Sequence, residues 1–312
     1  MELRHLRYFV AVASARSVSL AARGLNVSQP GLSRQIQNLE QDLGVRLFDR
    51  IGRKIVLTGD GSELLGRARR ILADAEAFRE RAQALGGGKG GVLRIGATPQ
   101  FIEAALPEVL ARYHRARPGV EVQLMEDGAS PLLIRVHQGE LHLAIGALRA
   151  EGLQSRPLYP LRVLAVMSRQ HRLARRRNLA VTDLVGDKIL MLERGFQTRD
   201  LFEDACRAAH VQLQVRIESR SPQSLVALAA AGHGIAILPS VVRLDRARVA
   251  IAGMLHDGRP LGLWGRVAWD PDRHLPAYAS DFIEILARCT RTSCPGHRLR
   301  LTRVVPRPAD AE

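Results

Sequence analysis

Apolar residues recur at helical spacing in three blocks over the first 45 positions. Leu3, Leu6, Phe9, Val10 and Ala13 share one side of a first helix, predicted from Leu3 to about Ala13. Ala21, Ala22 and Leu25 mark a short second helix with Ser19 as its N-cap. Leu32, Ile36, Leu39 and Leu43 form the inward side of a longer third helix, which Ser28 caps and Pro30 opens in its first turn. Asn26 and Val27 make the turn between them. Leu47 and Phe48 then anchor a hairpin whose return strand is Ile55-Val56-Leu57. Thr58 starts a long helix with a seam of Leu64, Leu65, Ala68, Ile71, Leu72, Ala75 and Phe78. Such a seam finds either a partner copy or its own domain.

From Val92 the pattern changes to short apolar strands alternating with helices, as in an α/β domain. Strands are expected at Val92–Ile95, Val120–Met125, Leu141–Ile145, Leu161–Met167, Lys188–Leu192, Gln214–Glu218, Ile235–Pro239 and Arg266–Trp269. Helices are expected at Phe101–Tyr113, Pro131–Gln138, Asp200–Ala209, Pro222–Ala231 and Ala277 to about Cys289. Leu161–Met167 crosses into a second half and Arg266–Trp269 crosses back.

The polar side of the third helix carries Pro30, Ser33, Arg34, Gln37 and Gln41, with Gln29 in its exposed first turn. Short and forked hydrogen-bonding groups of this kind suit base edges and phosphates in a major groove, although any solvated amphipathic helix has a polar side. The hairpin tips the balance, because Arg50, Arg53 and Lys54 gather three cations around Gly52, next to that helix. Cations there would hold flanking phosphates without regard to sequence, as the wing of a winged helix does. The formal net charge of +15 and a pI near 11.1 also favour a polyanionic partner.

The remaining chemistry mostly narrows the choice. No run approaches the ~20 apolar residues of a bilayer span, and no secretory signal follows Met1, so a cytoplasmic protein with no membrane association is expected. Gly86-Gly87-Gly88-Lys89-Gly90-Gly91 fails as a phosphate loop, having Gln83 and Gly90 where a glycine and a Ser or Thr belong, and reads as an interdomain hinge. With no nucleophile elbow, HExxH or dinucleotide fingerprint, neither an enzyme nor a cofactor is expected. Cys206, Cys289 and Cys294 make no disulfide framework, and with His297 the last two make a poor zinc site. Cys206, among Phe202, Ala205, Ala209 and Val211, reads as a small buried thiol, whereas a peroxide sensor needs a low-pKa thiol with a resolving partner. The arginine-rich stretch Arg169–Arg177 reads as a solvated loop.

In the α/β half, Thr98-Pro99, Ser130-Pro131 and Ser221-Pro222 each read as an N-cap followed by a helix-opening proline, and Gly195-Phe196-Gln197-Thr198 leads into a fourth helix. Helix N-termini at the carboxyl ends of strands favour an anion, to which Arg194, Arg199 or Arg220 would add charge. One N-cap alone needs only to serve its own helix; here several converge.

The segments LRYFVAVA, SVSLAARGLNVSQPGLSRQIQNLEQDLGVRLFDR and LTGDGSELL together resemble the LysR-type transcriptional regulators, over most of the chain except the extreme C-terminus. The resemblance implies a winged helix-turn-helix at 1–58, a linker and dimerisation helix at 59–85, the hinge at 86–91, and a two-lobed effector domain like a periplasmic binding protein at 92–290. Lobe I is expected at 92–162 plus 267–290, lobe II at 163–266, and a mobile basic tail at 291–312. Matched by position, Gln29, Pro30, Ser33 and Arg34 correspond to recognition-helix contacts, and Arg50, Arg53 and Lys54 to the wing. Thr98, Gln100, Ser130, Gln197 and Thr198 correspond to the effector site, with Phe196 as an apolar wall. The implied partners are double-stranded promoter DNA, a small organic or aromatic acid as effector, RNA polymerase, and further copies forming a homodimer and then a homotetramer. The chain departs from the family pattern at Val18, Gly31 and His142. A solute-binding protein would explain the two lobes but not residues 1–60.

Overall fold

The computed structural model describes residues 1–51, 54–85 and 90–293, which form two compact units, residues 1–88 with 137–140 and the remainder. In the first, α1 (Leu3–Ala15), α2 (Val18–Gly24) and α3 (Gln29–Leu43) precede a hairpin of β1 (Phe48–Ile51) and β2 (Lys54–Leu57), and α4 (Gly59–Leu85) follows. Leu6, Phe9, Val12, Ala21, Ala22, Leu32, Ile36 and Leu39 meet Leu47 and Phe48 in one core, with Phe9 edge-on to Phe48 at 5.5 Å.

In this unit one N-cap differs from expectation. Ser17, two residues earlier than Ser19, caps α2 by accepting the Leu20 N–H, which leaves the Ser19 hydroxyl to donate to Gln29 at 2.9 Å. Ser28 caps α3 as expected, accepting the Gly31 N–H. Leu3 and Leu43, both placed inward by the pattern, are 42% and 37% exposed, because each sits in the end turn of its helix, beyond the reach of the core. Thr58 Oγ1 accepts from Gly61 and donates to the Arg46 carbonyl, fixing the start of α4. Gly61 has to be glycine: a Cβ there would stand 2.1 Å from the Leu47 carbonyl oxygen.

The second unit is an α/β domain. In chain order it comprises β3 (Gly91–Ala97), α5 (Pro99–Ala104), α6 (Leu106–Ala116), β4 (Val120–Glu126), α7 (Ala129–His137), β5 (Leu143–Gly146), β6 (Gln154–Ser168) and β7 (Asn178–Ala180). It continues with β8 (Lys188–Leu192), α8 (Gln197–Ala208), β9 (Gln214–Ser219), α9 (Pro222–Ala230), β10 (Ile235–Pro239), β11 (Val249–His256), β12 (Arg259–Pro260), β13 (Gly262–Trp269) and α10 (Ala277–Ser293). One lobe has the strand order β4-β3-β5-β13-β6; the other continues β6-β10-β8-β9, with β11 also on β6. β6 belongs to both. Gln154–Arg162 pair with β13, Val163–Val166 pair with β10 and Leu164–Ser168 pair with β11, so the strand changes sheets between Arg162 and Val163. Ser240 holds that point: its N–H donates to the Arg162 carbonyl, and its Oγ accepts the Arg162 N–H.

Three expectations need correcting here. The helix drawn from Phe101 to Tyr113 breaks at Ala105, whose backbone leaves helical geometry so that α6 can restart with Pro107 in its first turn. α7 begins at Ala129, so Ser130 lies inside its first turn and is not an N-cap. β13 starts at Gly262 and pairs with β6 from there, so the return to the first sheet precedes Arg266. Cys206 is buried as expected. Arg172 and Arg176, in the arginine-rich loop, pair with Asp187 and Asp183. The hinge residues 86–89, Arg53, and the tail from Cys294 onward with His297 lie outside the described residues.

Candidate DNA interface and effector site

Along α3 the buried stripe Leu32, Ile36 and Leu39 fixes which side faces outward. Gln29, Pro30, Arg34 and Gln37 are exposed and Ser33 is half-buried. The Arg34 guanidinium has no ion pair or hydrogen bond among the described residues, so its five donors remain available. Sequence reasoning overlooked Glu40, which anchors this face to the hairpin. Its Oε1 accepts the backbone N–H groups of Leu47 and Phe48, at 2.8 and 3.1 Å. A glutamate three residues before a Gly-terminated helix end resembles any surface glutamate, so nothing in the sequence flagged it. In the hairpin, Arg50 stands opposite Ile55 and Lys54 opposite Ile51; their side chains lie outside the described residues.

Within the second unit, a pocket between the two lobes is lined by Thr98 and Gln100 from one side and Phe196, Gln197 and Thr198 from the other, with Tyr159 on the shared strand. Thr98, Gln100, Phe196 and Thr198 are all buried. Ser130 does not join them: it is exposed, and its neighbour Ala129 lines the pocket instead. Tyr159 was missed because a tyrosine in a crossing strand reads as core; it stacks on Phe101 at 5.9 Å. Gly146, at φ +153°, lies so close to Thr98 that a Cβ would be 2.5 Å from the threonine methyl. The pocket encloses about 20 Å³, room for one water-sized group.

Two features define its chemistry. Gln100 is 5% exposed, and its Nε2 has no hydrogen-bond partner among the described residues. The first N–H groups of α8, at Gln197 and Thr198, have no acceptor within their helix. Both point to a ligand that accepts hydrogen bonds. No lining side chain is charged. Arg199, an expected source of charge, is buried and committed to Glu203, Glu218 and the Leu192 carbonyl, so its charge is spent within its own lobe. Arg220 pairs with Asp127 across the cleft at 3.3 Å. Gln223 donates to Glu103 at 3.2 Å, and Arg149 meets Asp204 at 3.7 Å, so these three polar contacts join the lobes among the described residues.

His142 stands apart from this site, with its ring nitrogens facing the backbone N–H and the guanidinium of Arg94, at 3.1 and 3.0 Å. Burial, then the charges of Arg94 and Arg273, push its pKa down to about 3. It is neutral, and both of these partners are donors.

Two family models match the chain: "Bacterial regulatory helix-turn-helix protein, lysR family" over residues 3–62 and "LysR substrate binding domain" over residues 86–290. The chain belongs to the LysR family of transcriptional regulators. It is therefore a DNA-binding transcription factor with an effector-binding domain, not an enzyme. A hydrogen peroxide-inducible genes activator of Dickeya chrysanthemi is 36% identical over 77% of this chain and 80% of its own length. Among solved structures, a full-length OxyR cysteine variant from Pseudomonas aeruginosa superposes with a TM-score of 0.69, covering 95% of this chain and 96% of that one at 24% identity, a likeness of fold. CbnR, a LysR-family regulator solved with its target DNA, gives a TM-score of 0.64 at 26% identity, covering 93% of this chain and all of that one. No helix among the described residues is long and apolar enough to cross a membrane.

Proposed function

We propose that this regulator reads promoter DNA with Gln29, Pro30, Ser33, Arg34 and Gln37 of α3 while Arg50, Arg53 and Lys54 hold the flanking backbone. It answers a small organic acid bound non-covalently between its lobes by Thr98, Gln100, Phe196, Gln197 and Thr198. The observation that carries the effector reading is the buried Gln100 amide, unpaired among the described residues, in the lining of a pocket that also takes the first residues of α8 with their helix N–H groups. A carboxylate supplies the acceptors both lack. With room for about one water-sized group, the closed pocket favours an acid of few atoms; an aromatic acid enters only when the three cross-cleft contacts open. Effector binding shifts lobe closure, and with it the relation between copies, DNA bending and contact with RNA polymerase. Assembly as a dimer and then a tetramer is supported by α4, where Ile71 and Phe78 are 43% and 78% exposed along the seam. The hairpin-proximal part of that seam, Leu64, Leu65, Ala68 and Leu72, packs on its own domain.

The relatives named for hydrogen peroxide suggest a second reading, a thiol switch. The chemistry of the described cysteines opposes it. A peroxide-reactive thiol is accessible and has a low pKa. Cys206 and Cys289 are both buried, and burial pushes both thiols up, Cys206 to about 11. At the α8 N-terminus, where a helix lowers a thiol's pKa, the chain has Gln197 and Thr198. Calorimetry of the full chain against monocarboxylates from formate to benzoate tests the reading. At least one acid is expected to bind wild type and to lose that binding in Thr98→Val/Gln100→Leu. Equal binding by both proteins across the panel would refute it.

A further inference from the structure

Away from the interlobe cleft, a cavity of about 420 Å³ opens between α9 and the segment joining β10 to β11. Val226, Ala227 and Ala230 of α9 face Leu244 and Val249, giving it an apolar wall. Gln223, Arg243, Asp245 and Arg248 supply its polar groups. Two of these are occupied: Gln223 donates to Glu103, and Asp245 Oδ1 accepts the Ala247 N–H at 2.9 Å. The other two are free. Arg243 and Arg248 are exposed, and neither guanidinium has an ion pair or hydrogen bond among the described residues.

We propose that this cavity is a second ligand site, one that takes a monoanionic amphiphile, a carboxylate on a compact apolar body. Its volume falls in the ~300–1,000 Å³ range of small-molecule sites, whereas the interlobe pocket holds about 20 Å³. Two guanidiniums against one carboxylate leave the rim positive, so an anion gains charge-assisted hydrogen bonds there. The apolar wall takes the hydrocarbon, which the neutral pocket between the lobes has no room for while the lobes are closed. The site also has a route to regulation. α9 carries Gln223, whose bond to Glu103 spans the lobes, so a ligand seated on this helix bears on lobe closure.

Titration calorimetry of the full chain with sodium octanoate, and with 1-octanol as the uncharged counterpart, tests the assignment. Wild type is expected to bind octanoate saturably and octanol about ten-fold more weakly. Arg243→Gln/Arg248→Gln is expected to weaken octanoate binding by about ten-fold, and Ala227→Trp, which fills the cavity from an exposed position, to abolish it with the melting temperature unchanged. Gln100→Leu is expected to leave octanoate binding intact, which separates this site from the interlobe reading. Absence of saturable octanoate binding would overturn the proposal, as would its survival in Ala227→Trp or its loss in Gln100→Leu. If octanoate is silent and Ala227→Trp alters the sedimentation coefficient, a second copy covers this face and the proposal falls.

Discussion

Replacing Gln100 with leucine should separate stability from function. The Gln100 side chain is 5% exposed, and among the described residues its Nε2 has no hydrogen-bond partner. A buried amide donor left unpaired costs about 1–3 kcal/mol, and leucine removes the donor while filling similar space. The ligand-free protein should therefore gain about 1–2 kcal/mol, which for a domain of this size raises the melting temperature by roughly 2–8 °C. The same change deletes the group that meets the effector, so the DNA-bound response to effector should disappear. Opposite movement of the two readouts is the signature of a polar group kept for binding at the expense of stability. The assay is thermal denaturation of the full chain by circular dichroism without added ligand, beside Gln100→Glu, which buries a charge and should melt below wild type. If Gln100→Leu melts more than about 4 °C below wild type, the amide is a satisfied structural group and the reasoning fails.

Other outcomes follow from single groups. His142 is neutral in the fold with a pKa near 3, against about 6.5 when unfolded. Its contribution is therefore full above pH 6.5 and is lost as pH falls from there towards 3. Between pH 7 and pH 5 that loss is about 2 kcal/mol, and urea denaturation should show it in wild type and not in His142→Gln. With its thiol raised from about 9 to about 11, Cys206 should react with iodoacetamide at pH 7.4 about 100-fold more slowly than an ordinary cysteine, as peptide mass spectrometry would show; labelling at the ordinary rate would reopen the thiol-switch reading. Gly61→Ala drives a Cβ into the Leu47 carbonyl and should cost about 1–3 kcal/mol, read as a lower melting temperature of the DNA-binding unit.

Periodicity revealed the elements well where one face of a helix or strand is buried and the other is wet. Leu32, Ile36 and Leu39 were legible for that reason; the strands Lys188–Leu192 and Ile235–Pro239, whose limits match the structure, are buried on both faces and were legible instead as short continuous apolar runs. It failed where tertiary context decides. Leu43 is apolar at the right spacing but lies past the edge of the core. The break at Ala105 turns on a backbone kink that an apolar stripe continues through. β7, β11 and β12 went unseen because β11 alternates sheet contacts that only the fold brings together. In the pocket, Thr98, Gln100, Phe196, Gln197 and Thr198 were accessible from helix starts and resemblance. Ser130 was misplaced because Ser-Pro looks like a cap wherever it falls, although the helix here begins one residue earlier. Arg199 could be counted as a free cation only while its partners, Glu218 on a separate strand among them, stayed invisible.

The most direct test of the DNA-reading account is fluorescence anisotropy of the full chain titrated onto DNA from upstream of its own gene and onto scrambled DNA of equal length. Wild type and Arg34→Ala would be compared over a range of salt concentrations. Tight binding of wild type to the native fragment, a steep salt slope, and a loss of about 1–3 kcal/mol in Arg34→Ala confined to the native fragment are predicted. Equal losses on both DNAs would contradict it, reducing Arg34 to one more surface cation and leaving the exposed face of α3 without the role assigned to it.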